Sequence, residues 1–394
     1  MRLNVVFFFV VFLCGEIWSQ AQWQEHDSLP GGGRHHSACF VIGDSVYVIG
    51  GELSNFRDAG DVWCFNIKTS KWKKRNDFPG DDRSYAAFFS IGNKGYLGLG
   101  TNFKNDFWEY DPLADRWKPI ADFPGGALYH PLFFVINDIA YVGLGQNGSG
   151  KHDDELYAYD PKVNQWTKKL PVTIPPNHHP AMFVIGNKGY LCTGHQADPN
   201  RMMNNLYEYD PENDRWKELA SIPSEGRVGA VGFSLENKGY ISCGFDELRT
   251  GKYYEDVWEY NPQTNQWTAL TDFPGGPTFA AITCQTKDKV FVGTGLKEQY
   301  SPQWFEFSVP TLSSTDKLKN EEDLSILAPN PVVQILQIRR NFERFEIHNL
   351  QSQIVLSGTK SEIDVKQLPC GTYLIKLWFE NKDFKVLRFV KAFN

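Results

Sequence analysis

Residues 85–117 read YAAFFSIGNKGYLGLGTNFKNDFWEYDPLADRW, and the punctuation inside this stretch decides the fold. Tyr85–Ile91 is an apolar run and Gly92-Asn93 a turn; Lys94–Gly100 is a second run ending on glycine. Asp106–Tyr110 forms a third, Asp111-Pro112 opens the next turn, and Arg116-Trp117 begins a fourth. Short apolar and aromatic runs bounded by Gly, Pro, Asn and Asp predict antiparallel strands linked by tight turns. Past the N-terminal segment the chain carries no sustained 3.6-residue apolar period, so little helix is expected.

The unit repeats. Its aromatic pair Tyr110–Trp117 returns as Phe65–Trp72, Tyr159–Trp166, Tyr209–Trp216 and Tyr260–Trp267, with Trp-to-Trp steps of 45, 49, 50 and 51 residues. A period near fifty residues marks one supersecondary unit copied around a ring or along a stack. A sixth copy starts at Phe279, continues through Val290–Gly295 and Trp304–Phe307, and reaches Val309-Pro310 without its Trp. The missing element lies at the other end, because Trp23 stands 49 residues before Trp72. The N-terminal segment is therefore predicted to supply the outer strand of the last unit, a closure that removes exposed sheet edges.

Each second strand closes on glycine: Gly50-Gly51, Gly100, Gly145, Gly194, Gly244 and Gly295. With the spaced aromatic pair, these glycines make residues 22–309 resemble kelch repeats, although only the first copy keeps the family's double glycine. The resemblance implies an all-β protein built on a six-bladed kelch-type β-propeller. Strand polarity places the variable loops Glu52–Gly60, Thr101–Asn105, Gln146–Asp154, His195–Asn204 and Phe245–Glu255 on one face, where recognition is expected.

Both ends carry a different message. Arg2, the apolar Val5–Cys14 and the small residues of Ser19-Gln20-Ala21 have the layout of a secretory signal peptide over 1–21. The apolar run is too short for a span of roughly 20 residues, so no transmembrane segment is expected in the mature protein. Residues 310–325 are rich in Ser, Thr, Lys, Glu and Asp and read as a linker. Beyond it come Leu327-Ala328-Pro329-Asn330-Pro331, Leu368-Pro369-Cys370-Gly371-Thr372-Tyr373 and the closing Val390-Lys391. Residues 326–394 thus resemble the C-terminal sorting domain of the type IX secretion system of Bacteroidetes, with Ser352 where that family usually has glycine. The resemblance implies a small β-sandwich, a type IX secretion translocon as partner, and a product that is secreted or attached to the outer-membrane surface.

Net charge is −7 with no long basic run, which argues against nucleic acid as a partner. Leaving Cys14 aside, six cysteines remain, none in a C-x-x-C pair, and most replace apolar or small residues of the repeat, so free buried thiols are expected.

The start of each innermost strand is expected at the channel mouth, in three columns. The first reads Arg34, Arg83, Leu128, Asn177, Arg227, Thr278; the second His35, Ser84, Tyr129, His178, Val228, Phe279; the third His36, Tyr85, His130, His179, Gly229, Ala280. Arg34, His36, Arg83, Tyr85, Tyr129, His130, His178, His179 and Arg227 are the candidate ligand-binding residues. Three readings stay open. These groups hold loops and fill the channel, bind a sugar or other polyol, or, through His36, His130 and His179, hold a metal. Those three belong to the first, third and fourth units, so the last reading meets a spacing problem for bonds of about 2.0–2.1 Å. No metal ligand set is assigned, and the sequence requires no cofactor.

The expected function is binding of a glycan or protein ligand. The alternative is a carbohydrate-active enzyme, since exported kelch propellers resembling this chain include sialic acid mutarotases with similar Asp-Phe-Pro-Gly-Gly turns (Asp122–Gly126 and Asp272–Gly276 here). A copper radical oxidase is a poorer precedent, with seven blades and a tyrosine–cysteine cofactor not locatable here. Mutarotation needs a general acid and base; the candidates are Glu52, Asp246 or Glu247 beside Arg34 or Arg227. The sequon Asn147-Gly148-Ser149 is discounted for a bacterial exported protein.

Overall fold

The computed structural model describes residues 22–309 and, in the C-terminal region, 327–328, 332–338, 341–349, 354–369, 371–379 and 384–391. The leader, the linker, the Pro-Asn-Pro motif, Ser352 and Cys370 lie outside the described residues. Contacts divide the chain into two compact units, separated between Pro310 and Thr311.

The first unit is a six-bladed propeller. Blade two shows the pattern: Ala87–Ile91 innermost, then Lys94–Gly98, Phe107–Asp111 and Arg116–Pro119, all antiparallel. Among the described residues the only helical segment is the 3-10 turn Thr101–Phe103. Closure is as expected. Gln22–His26 pairs with Trp304–Ser308 in the sixth blade, with Trp23 opposite Phe307.

That register explains the spaced aromatic pair. Seven positions joined by a tight turn place Tyr110 directly across from Trp117, and the same cross-strand pairing holds at 65/72, 159/166, 209/216 and 260/267. Ring centroids lie 4.7 Å apart in Trp23–Phe307 and 5.0 Å apart in Tyr260–Trp267, within the range in which aromatic pairs attract beyond simple burial.

The strand-two glycine has a backbone role. Gly100 has φ +92°, and its N–H donates to the carbonyl of Leu128 in the next blade; a Cβ there would sit 2.3 Å from the Ser84 carbonyl oxygen. Equivalent bonds run from Gly51 to Arg83, Gly145 to Asn177, Gly194 to Arg227, Gly244 to Thr278 and Gly295 to Arg34. Each of these glycines therefore latches its blade to the next while in a conformation that side chains disfavour.

In the second unit, one sheet combines Leu327–Ala328, Ile335–Ile338 and Glu362–Asp364, and another Ile354–Gly358, Arg344–His348, Gly371–Trp378 and Phe384–Lys391. Leu336, Ile338 and Ile363 from the first share one core with Phe345, Ile347, Ile375 and Leu377 from the second. This is a small β-sandwich. The five described cysteines are free thiols, Cys39, Cys192, Cys243 and Cys284 buried and Cys64 half-buried.

Candidate functional site

The third column forms a ring around the channel axis. His36, Tyr85, His130, His179, Gly229 and Ala280 all adopt φ between +47° and +60°. Each N–H donates to the carbonyl of its counterpart in the preceding blade: Tyr85 to His36, His130 to Tyr85, His179 to His130, Gly229 to His179, Ala280 to Gly229 and His36 to Ala280. Six blades are thereby stitched into a closed hydrogen-bonded collar. Five non-glycine residues held in the left-handed region are backbone strain that only the surrounding fold can maintain.

The collar overturns the spacing argument made from blade order. Successive residues are one hydrogen bond apart, so side chains from non-adjacent blades meet over the axis. The candidate ligand nitrogens of His36, His130 and His179 all lie within 4.8 Å of one another. His130 stacks on His179 with centroids 4.0 Å apart, and Nε2 of His36 lies 3.0 Å from Nε2 of His179. Burial, then repulsion among the imidazoles, holds all three pKa values well below the usual histidine value, so the rings are neutral at pH 7. Beyond the collar the channel is a cavity of about 340 Å³ lined mainly by apolar residues, including Phe88, Phe133, Met182 and Ile282. It is a mainly apolar shaft, with the imidazoles gathered at the collar and Ser90, Thr283 and Gln285 further along.

The first column does not face the channel. Arg34, Arg83 and Arg227 are 1%, 3% and 0% exposed and are absent from the channel lining. Each guanidinium turns into its own blade, where it pairs with Asp61, Asp106 or Asp256 at the start of the third strand. It also donates to the last carbonyl before the strand-two glycine, at 2.9 Å for Gly50, 3.3 Å for Leu99 and 3.1 Å for Cys243. The same carboxylates accept the indole N–H of Trp63, Trp108 and Trp258. Burial would raise the pKa of these three aspartates, but the arginine bonds and charge outweigh it and hold them below the usual carboxylate value. The physical reason is the sharp bend closing strand two, which leaves a buried carbonyl in need of a donor. The arginines are scaffold.

At the mouth itself the carboxylate of Glu52 is central. Its oxygens accept the hydroxyls of Tyr85 at 2.9 Å and Tyr300 at 3.0 Å, and Nε2 of His35 lies 3.5 Å away. Burial and the Glu52 charge push the Tyr85 hydroxyl far above its usual pKa and that of Tyr300 up to about 12, so both stay donors. His35 stacks on Tyr300, Tyr129 contacts both Tyr85 and Phe103, and Phe245 contacts Tyr253 and Phe279. A cavity of about 870 Å³ adjoins, lined by Tyr253, Lys297, Gln299, Tyr300 and Gln303 among others. Of the other acids considered, Asp246 is 2% exposed and spent on its own loop, accepting from the backbone of Arg249 and Thr250; Glu247 is exposed.

Family comparison agrees with this architecture. The KLHDC2/KLHL20/DRC7 kelch-repeats domain matches over residues 4–177 and 121–295, together well over half of the chain. The chain is a kelch-repeat protein. A secretion system C-terminal sorting domain matches residues 327–391, which implies handling by the type IX system, secretion and cell-surface attachment. Among solved structures the kelch propeller is similar to YjhT, with a TM-score of 0.61 at 17% identity, covering 72% of this chain and 95% of that one. At that identity the likeness is one of fold. No curated protein matches the chain. Among the described residues no helix is long and apolar enough to cross a membrane.

Of the nine candidates, then, His36, Tyr85, His130 and His179 meet at the collar, Tyr129 joins the aromatic mouth, and the three arginines stand apart inside their blades. His178 joins a group the sequence did not reveal. It pairs across a short ladder with His195, and His152 packs against both, with centroids 4.6 Å from His178 and 5.3 Å from His195. Seven of the nine histidines thus form one contiguous cluster, linked by the His130–His178 contact at 5.5 Å. His152 and His195 sit in loops of unequal length, where repeat alignment carries no signal; their lying on the same predicted face was the available hint.

Proposed function

We propose that this kelch propeller is a surface-displayed binding protein for neutral glycans, exported through its leader and sorted by its C-terminal domain. The observation that supports this reading is the Glu52 carboxylate, held by two tyrosine hydroxyls in an aromatic-walled mouth. A carboxylate fixed in place accepts from vicinal sugar hydroxyls, and flat aromatic faces cover the apolar face of a sugar ring. An acidic sugar would need a free cation beside Glu52, but the three candidate arginines are each neutralised by an aspartate, and Lys297 of the adjoining cavity donates to Gln303. Asp58, whose carboxylate accepts the Ser84 hydroxyl at 2.6 Å, adds further negative charge nearby.

A glycan array followed by calorimetry tests this. Neutral glycans are expected to bind in preference to sialylated ones. Glu52→Gln and Tyr300→Ala are expected to weaken binding by about 10- to 100-fold, the loss typical of one hydrogen bond to a charged group. Preference for sialylated glycans, or unchanged affinity in both variants, would overturn the reading.

One observation favours an enzymatic alternative. From Glu52 a line of imidazoles runs inward, His35 Nδ1 lying 2.7 Å from His36 Nδ1, and His36 Nε2 3.0 Å from His179 Nε2. Neutral rings at such distances can pass a proton, so Glu52 would serve as general base with His35 relaying. Turnover of a bound reducing sugar that Glu52→Gln abolishes while retaining affinity would establish it; anomer exchange followed by NMR reads this directly.

A further inference from the structure

We propose that His152, His178 and His195 form a binding site for a first-row divalent metal ion of the zinc class, separate from the collar and independent of the glycan reading. The three rings come from different backbone segments. His178 and His195 are cross-strand partners in blade four's loop ladder, and His152 arrives from the blade-three loop beside Gln146. Their candidate ligand nitrogens all lie within 4.8 Å of one another.

The hydrogen-bond accounting points to a ligand. His152 is only 6% exposed, yet its Nδ1 has no partner, and Nδ1 of His178 is likewise buried and unpartnered. Buried polar atoms are ordinarily satisfied, and two orphan imidazole nitrogens in a group of three rings whose ligand atoms lie within 4.8 Å of one another call for an electrophile there. His195 is prepared in the complementary way. Its Nε2 bonds Asn200 Oδ1 at 2.5 Å, which makes Nε2 the donor and leaves the lone pair on Nδ1. Fixing the tautomer through an outer carbonyl oxygen is how metal-binding histidines are oriented.

The ligand chemistry follows from the donors. Three imidazoles with no thiolate suit zinc, copper or nickel and disfavour calcium or magnesium, which take oxygen. Tetrahedral bonds of about 2.0–2.1 Å place ligand nitrogens roughly 3.4 Å apart, so the rings need to turn inward by about 1 Å. Burial and the other two imidazoles hold the His178 pKa down to about 3, consistent with a neutral ligand at pH 7. Both nitrogens of His130 are also unpartnered, but the collar triad is the weaker site because His36 spends both its nitrogens, on His35 and His179. A metal here would clamp the blade-three loop to the blade-four loop and leave a fourth position open on the binding face.

Calorimetry with zinc chloride on tag-free, chelator-treated full-length protein tests the site. One ion per chain is expected, with a raised melting temperature. The cobalt-loaded protein is expected to show the visible d–d band of a tetrahedral nitrogen site. His195→Ala, at a half-exposed position that should not disturb folding, is expected to abolish both, and Asn200→Ala to weaken zinc by about 10- to 100-fold. His152→Ala should behave as His195→Ala; if it does not fold, His195→Ala alone decides. Absence of zinc binding, unchanged binding by His195→Ala, or loss in His36→Phe with retention in His195→Ala would each overturn the proposal.

Discussion

Blades one, two and five differ from blades three, four and six at one linked set of three positions, and the difference separates scaffold from chemistry. The first three carry Arg34, Arg83 and Arg227, each with its aspartate two residues before a tryptophan: Asp61/Trp63, Asp106/Trp108, Asp256/Trp258. Where the arginine is missing, the other two change with it: Leu128 goes with Glu155 and Tyr157, Asn177 with Asn205 and Tyr207, Thr278 with Gln303 and Phe305. In blade three the acid turns outward to pair with Lys168 and accepts the Tyr157 hydroxyl. In blade four Asn177 reaches the strand-two carbonyl of Thr193 at 3.3 Å, while its own Oδ1 is left unpartnered. Arginine, aspartate and tryptophan are one interlocked unit, replaced together. The outer histidine group lies in the sector where that unit is absent.

The largest expected effect that tests this contrast is Arg227→Ala. It leaves Asp256 half-buried without its partner, and destabilisation of about 3 kcal/mol is expected, the low end for a broken buried pair because the aspartate side chain keeps 28% of its exposure. Asn177→Ala, at the equivalent place in blade four, should cost only about 1 kcal/mol. Urea denaturation of the two variants measures both; equal losses would dissolve the distinction between the two sets of blades.

Acid titration separates the sectors by pH window. His36, His130, His152, His178 and His179 have folded pKa values below 6.5, so their contribution is complete above that value and is lost progressively as pH falls from there through the folded values, about 3 for His178. Asp61, Asp106 and Asp256 lie below 3.8, so their contribution persists until pH falls under that value. Melting temperature should therefore begin to fall below pH 6.5 and fall more steeply below 3.8, and His130→Phe should shrink the decline between those values. An effect as small as that of Asn177→Ala is expected of Trp258→Phe, which removes one indole bond to Asp256 and should cost about 1 kcal/mol in thermal melts; a loss comparable with that of Arg227→Ala would make the indole, rather than the guanidinium, the anchor.

The architecture was legible because its signals are local. The spacing of Tyr110 and Trp117 encodes a hairpin register, and the spacing of Trp23 and Trp72 encodes ring closure, both readable along the chain. The glycines marked strand ends, though only the structure showed them as latches. The placement of the candidate residues was legible in part. The columns placed His36, Tyr85, His130 and His179 together correctly, yet put Arg34, Arg83 and Arg227, two positions before the collar, beside them when each of those side chains turns into its own blade. Glu52 was among the candidate acids, but only its contacts with Tyr85 and Tyr300 distinguish it from Asp246.

The sequence by itself determined the repeat, the number of blades and the closing strand, because strand pairing and turn chemistry act over a few residues and recur. Tertiary structure alone decided which polar side chains meet. The left-handed collar narrows the axis until histidines from non-adjacent blades touch, and loops of unequal length bring His152 and His195 against His178. Those contacts depend on ring radius and loop return, quantities that no periodicity along the chain records.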